Sequence, residues 1–125
     1  MPDTTREPTG DYPHPAPVHH IDLEATADRL LQELPGSQRK TENIARESGV
    51  SLILMAMKEG DVLEEHTAPG VVIVQVLRGG IRLQAGSSGT DMGPGQIVML
   101  QPNVPHRHEA TAESVVLLTV TGGAD

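Results

Sequence analysis

The 125-residue chain contains no cysteine, tryptophan or phenylalanine, and Tyr12 is its one tyrosine. The lack of cysteine excludes disulfides, thiolate zinc sites and cysteine nucleophiles. With Tyr12 as the only aromatic of this kind, the core must be built from Val, Leu, Ile, Met and Ala. A pocket in such a chain has no platform for stacking a base, a sugar ring or a flavin. Positive charge is also scarce: nine Lys+Arg against seventeen Asp+Glu give a formal net charge of −8. This balance argues against nucleic acid or an anionic membrane as a partner, and the scattered charges read as solubility. No run approaches the roughly 18 apolar residues of a membrane helix. The polar start of the chain lacks the apolar segment of a signal peptide, so the cytoplasm is the expected compartment.

Length and composition favour one domain, large enough for a core and small enough to favour a homodimer. Residues 1–20 carry Pro2, Pro8, Pro13, Pro15 and Pro17 with few apolar residues, which predicts a flexible arm. Residues 21–36 predict a short helix. Asp22 is placed to cap it, Leu23, Ala27, Leu30, Leu31 and Leu34 form its apolar stripe, and Pro35-Gly36 ends it. From residue 37 to 125 the pattern is that of strands, expected near 41–47, 51–58, 61–66, 71–78, 81–85, 96–101, 106–111 and 115–120. Glycine- and proline-rich turns separate them, including Gly86 to Gly89 and Pro102 to Pro105. Short strands at this spacing without interleaved helices predict an all-β sandwich or barrel.

The chemistry-bearing residues are histidines. His106 and His108 stand two apart in Val104-Pro105-His106-Arg107-His108-Glu109-Ala110. On a strand they point the same way, with Ala110 and Ala112, while Arg107, Glu109 and Thr111 take the other face. His66, at the end of an earlier strand, is the third candidate. Neutral imidazole is the commonest biological ligand for transition metals. Glu64, two residues before His66, is expected on the same inward face as a fourth ligand, an orienting partner or a general base. His14, His19 and His20 fall near the arm and are expected to be solvated, as are Arg39 and Lys40. The glycine clusters match no phosphate-cradling motif, and Ser51, Ser87, Ser88 and Ser114 lack a nucleophile-elbow context. Met55, Met57 and Met99 are expected to fill the core in place of aromatics.

The region from about 40 to 121 resembles the cupins, small jelly-roll barrels (the double-stranded β-helix) that usually bind a metal at one end. The first cupin motif is G-x5-H-x-H-x3–4-E-x6-G. Gly60 and His66 fit its start, and Val76-Leu77-Arg78-Gly79 is similar to its close. The second is G-x5-P-x-G-x2-H-x3-N. Gly95 and Gln101-Pro102-Asn103-Val104-Pro105-His106 are similar to it, with Asn103 where the family has a turn glycine. Asn tolerates a left-handed backbone, so that exchange keeps the geometry.

The chain also departs from the family. Ala68 stands at the second histidine, Val72 at the glutamate and Ala110 at the terminal asparagine. Some relatives, the pirins, take a ligand two residues after the second-motif histidine, the place of His108. The resemblance therefore implies a His66, His106 and His108 centre for Fe, Mn, Ni or Zn. Two functions from different classes follow. One is a metal-dependent enzyme of dioxygenase or isomerase type acting on a small polar molecule. The other is a non-catalytic small-molecule binding or dimerisation module with a degenerate metal site.

Overall fold

The computed structural model describes residues 14–122. One helix, α1 (Leu23–Glu33), precedes nine strands: β1 (Arg39–Glu47), β2 (Val50–Met57), β3 (Val62–His66), β4 (Val72–Arg78), β5 (Ile81–Ala85), β6 (Ser88–Met92), β7 (Ile97–Leu100), β8 (His106–Ala110) and β9 (Ser114–Thr121). They form two antiparallel sheets, β1-β2-β9-β4-β7 and β3-β8-β5-β6. This is the all-β sandwich expected from the turn spacing, in the jelly-roll form that the cupin resemblance implied. Of the expected arm, residues 1–13 lie outside the described residues, as do 123–125 of the barrel segment.

Helix α1 forms where its capping chemistry and apolar stripe coincide. Asp22 stays extended and its carboxylate accepts the Ala25 amide at 3.0 Å. Ala27, Leu30 and Leu34 are buried against Leu54, Ala56 and Val115, on the outer face of the five-stranded sheet. Arg78 ties the helix to β4 by bonding Asp28 at 2.8 Å and Glu24 at 2.6 Å. An Asp22→Ala variant should lose about 1 kcal/mol, read in a denaturant titration, since the amides of the first turn then lack a partner. An unchanged midpoint would show that packing alone holds the first turn.

A second apolar cluster fills the space between the sheets, drawn from Met55, Met57, Val72, Val74, Val76, Ile81, Leu83, Leu100, Val116 and Leu118. Strand β4 alternates buried and half-buried because only one of its faces meets this interior. Met55 and Met57 fill the core as expected. Met99 does not: it is 67% exposed on β7 beside Ile97, since the alternation there sends Val98 and Leu100 inward instead.

Two turns explain their residues. Asn103 has φ +66°, the one left-handed non-glycine residue among those described, at the place expected from the motif. Gly79 has φ +78°, and a Cβ there would collide with the Glu113 carbonyl oxygen, so this close approach of two turns requires glycine. Strand β6 departs from expectation, lying where the glycine cluster predicted a turn. Ser88-Gly89-Thr90-Asp91 is exposed, and β6 is an edge strand held by its ladder to β5. No described helix is long and apolar enough to cross a membrane.

Candidate functional site

Strand β8 is buried at alternate positions, with His106 1%, His108 0% and Ala110 1% exposed. The inward row read from the sequence is therefore the row in the structure. Ala85 on β5 stands opposite His106, and Leu83 stands opposite His108. On the other side β3 brings Leu63 opposite His108 and His66 opposite His106. The three rings gather at one end of the barrel. Ring centroids are 4.2 Å apart for His66–His106, 5.5 Å for His106–His108 and 5.9 Å for His66–His108.

His66 reaches this cluster through an irregularity. Between Leu63 and His66 the β3 register shifts, so three steps along β3 match two along β8. That is a β-bulge, and it breaks the strict alternation of side chains. Counting back by two from His66 therefore gives the wrong face for Glu64. Glu64 is exposed and not part of an inward row, and it meets His66 through its backbone carbonyl.

Hydrogen bonding sets the ring chemistry. The His66 Nδ1–H donates to Glu64 O at 3.0 Å, and the His106 Nδ1–H donates to Val104 O at 3.0 Å. A carbonyl only accepts, so in both rings Nδ1 carries a proton, which in a neutral ring leaves the lone pair on Nε2. His108 differs: neither ring nitrogen has a hydrogen-bond partner in the protein, although the residue is fully buried. Burial pushes its pKa down to about 3, aided by the nearby His106, His66 and Arg39. The ring is neutral throughout the physiological range. Among the described residues, no three His, Asp or Glu side chains are already laid out to hold a metal ion. The rings are gathered, but their donor atoms do not form a ready-made site.

Two charged residues were not anticipated here. Asp61, 6% exposed, faces Arg39, whose Nε lies 3.0 Å from Asp61 Oδ2. Asp61 sits just beyond His108 along the inward row, because its carbonyl accepts the Ala110 amide at 2.9 Å. Arg39 was expected in solvent. It stands opposite the buried Met57, which turns it inward, and its partner is 22 residues away. At the other end of β1 the solvated reading of His19 also fails: its Nε2 lies 2.6 Å from Glu47 Oε2, which also accepts the Ala16 amide at 2.7 Å. Ser114 is occupied structurally, its hydroxyl bonding Gly80 and Ala112.

The Cupin domain family matches residues 53–121, more than half of the chain. This chain belongs to the cupin family. Solved structures agree in fold. A protein of Thermus thermophilus is similar with a TM-score of 0.69 and 17% identity, over 83% of this chain and 98% of that one. KdgF from Halomonas sp. is similar at 0.63 and 15%, over 69% and 82%. DMSP lyase DddQ from Ruegeria pomeroyi DSS-3 is similar at 0.63 and 18%, over 70% and 49%. No curated protein matches the sequence. Where cupins usually place a second histidine and a glutamate, this cupin has Ala68, half-buried against the core, and Val72, 4% exposed within it.

Proposed function

We propose that this cupin binds a divalent transition metal, Fe, Mn, Ni or Zn, through His66, His106 and His108 at the mouth of its barrel. The observation that carries the reading is His108. A fully buried imidazole with both nitrogens unpartnered costs about 1–3 kcal/mol for each unmet group, and a bound ion is one of the partners that would remove that cost. The donor chemistry fits. Three neutral imidazoles suit these ions, and two of them have Nε2 lone pairs fixed by carbonyl bonds on Nδ1. Two rings on one ion at about 2.1 Å have centroids roughly 5 Å apart, within the range of separations here.

A bound ion supplies Lewis acidity to an oxygen of the ligand. The chain itself holds the tautomers of His66 and His106, keeps His108 neutral, and packs aliphatic side chains beside the rings. Two similar folds belong to KdgF and to a DMSP lyase, so the barrel is compatible with catalysis on a small molecule. A second reading is a non-catalytic binding module. Its support is that Ala68 and Val72 supply no donor and that, among the described residues, the three rings are not preset around a common point.

Calorimetric titration of tag-free protein with Mn(II), Fe(II), Ni(II) and Zn(II) tests the proposal. One equivalent should bind. His66→Ala, His106→Ala and His108→Ala should each weaken binding beyond the roughly 10–100-fold cost of losing a hydrogen-bond partner to a ligand. Failure of the folded wild type to take up any of the four ions sinks it.

A further inference from the structure

The two sheets are open, and their edge strands are β1 and β7 in one and β3 and β6 in the other. A free edge is a template for pairing with another chain, and charged side chains are a common guard against it. Three of these edges carry that guard. Strand β1 bears Arg39, Lys40, Glu42, Arg46 and Glu47, β3 bears the exposed Glu64, and β6 bears Asp91 beside Arg82 of β5. Strand β7, Ile97-Val98-Met99-Leu100, bears no charge. It lies within residues 92–105, the longest stretch of the chain without Asp, Glu, Lys, Arg or His.

The side chains that β7 exposes are apolar instead. Ile97 is 58% and Met99 67% exposed. On that outer face Met99 continues a row through Ile73, Thr119 and Leu52, all uncharged. The backbone of the same two residues is open as well. The Val76 amide donates to Gln96 O at 3.1 Å, and an antiparallel ladder alternates from there. Gln96, Val98 and Leu100 therefore turn their polar groups to β4. The N–H and C=O of Ile97 and Met99 face the sheet edge, where no described strand lies.

We infer that β7 pairs antiparallel with the β7 of a second copy, joining the two five-stranded sheets across a two-fold axis at Val98. In this register Ile97 stands opposite Met99 of the partner subunit, and each such pair exchanges both of its N–H···O bonds. The exposed apolar side chains then lie side by side on the outer face. A shift to the next matching register in either direction brings in Gly95, whose φ of +84° is not extended, or Gln101, beyond the end of the strand. Charge also selects a second copy. Two chains of net charge −8 repel where they carry charge, and this stretch brings none to the contact. A charged partner finds nothing on β7 to pair with.

Sedimentation velocity of the full chain tests this over roughly 1–500 μM, a range that brackets the micromolar dissociation constant expected of a small interface. A monomer–dimer equilibrium should appear. Ile97→Lys restores the missing guard and should weaken the dimer at least about tenfold. Met99→Pro removes the outward N–H but no bond to β4, a position where edge strands tolerate proline, and should weaken it similarly. Melting curves at the lowest concentration check that both variants fold, and if the proline variant does not, Ile97→Lys decides. Val98→Cys places the chain's sole cysteine at the axis, where opposed Cα atoms about 4.5 Å apart suit a disulfide. Mild oxidation should link this variant as a dimer and leave Glu59→Cys, exposed on the β2–β3 turn, unlinked. A chain that is monomeric throughout, or a dimer that Ile97→Lys leaves intact or Val98→Cys fails to link, overturns the inference.

Discussion

Replacing His108 with leucine is expected to abolish metal uptake and, in the metal-free protein, to raise the melting temperature. Both effects come from one side chain. In the folded state the ring is 0% exposed and its nitrogens have no protein partner, so their desolvation is uncompensated. Leucine fills a similar volume beside Leu63 and Leu83 without that penalty. The gain should be about 1–3 kcal/mol, or roughly 4–10 °C in Tm for a domain of this size.

The advantage should grow in acid. The folded-state pKa of His108 lies near 3, below its unfolded value of 6.5, so between these pH values the unfolded chain binds the extra proton. The wild type then loses stability as pH falls from about 6.5 toward 3, by about 1.4 kcal/mol per unit over the middle of that window, and His108→Leu does not. Melting curves at pH 7, 6, 5 and 4 for both proteins measure this. A His108→Leu variant less stable than wild type at pH 7 would show that the ring nitrogens are satisfied in the metal-free fold.

Asp61→Ala is expected to cost about 2–3 kcal/mol. It leaves the Arg39 guanidinium, 29% exposed, without the carboxylate 3.0 Å from its Nε. Breaking a buried pair by removing one partner typically costs about 3–5 kcal/mol, and the partial exposure of Arg39 lowers that figure. Because the penalty comes from the stranded charge, the double variant Arg39→Met/Asp61→Leu should return to within about 1 kcal/mol of wild type. Denaturant titrations of the single and double variants decide this. Equal losses in the two would place the cost in local packing rather than in the unpaired arginine.

Periodicity carried most of the architecture. The helix is legible because Asp22, the Leu23-to-Leu34 stripe and Pro35-Gly36 agree on its limits. Eight of the nine described strands are legible because apolar runs or bounding turn residues mark them, alternating in β4 and β8 and continuous in β2 and β9, which are buried on both faces. Strand β6 is not, because Ser88 to Met92 buries one side chain, Met92, and is held by backbone pairing that has no signature in residue type. The inward pair His106 and His108 follows from alternation alone. His66, exposed but with its ring against His106, was picked out by its place at a strand end and by the spacing of the cupin motif. The register shift before it hid the true face of Glu64, since a rule of period two fails across a bulge. The pairing of Arg39, read as solvated, with Asp61 escaped notice for another reason: two opposite charges 22 residues apart look like ordinary surface residues until the sheets bring them together.

The bulge in β3 also bears on how chains of this fold should be aligned. With strict pairing beyond Leu63, the residue before His66 would stand opposite His106, and the His66 imidazole would lose His106 as its neighbour. The extra residue held inside the strand restores the phase. A relative with one residue fewer at this point would present its histidine to the same neighbour through regular pairing. Ligand positions in β3 are thus better matched by the residue they face on β8 than by counting along the chain, because an insertion can be hidden within a strand as well as in a loop.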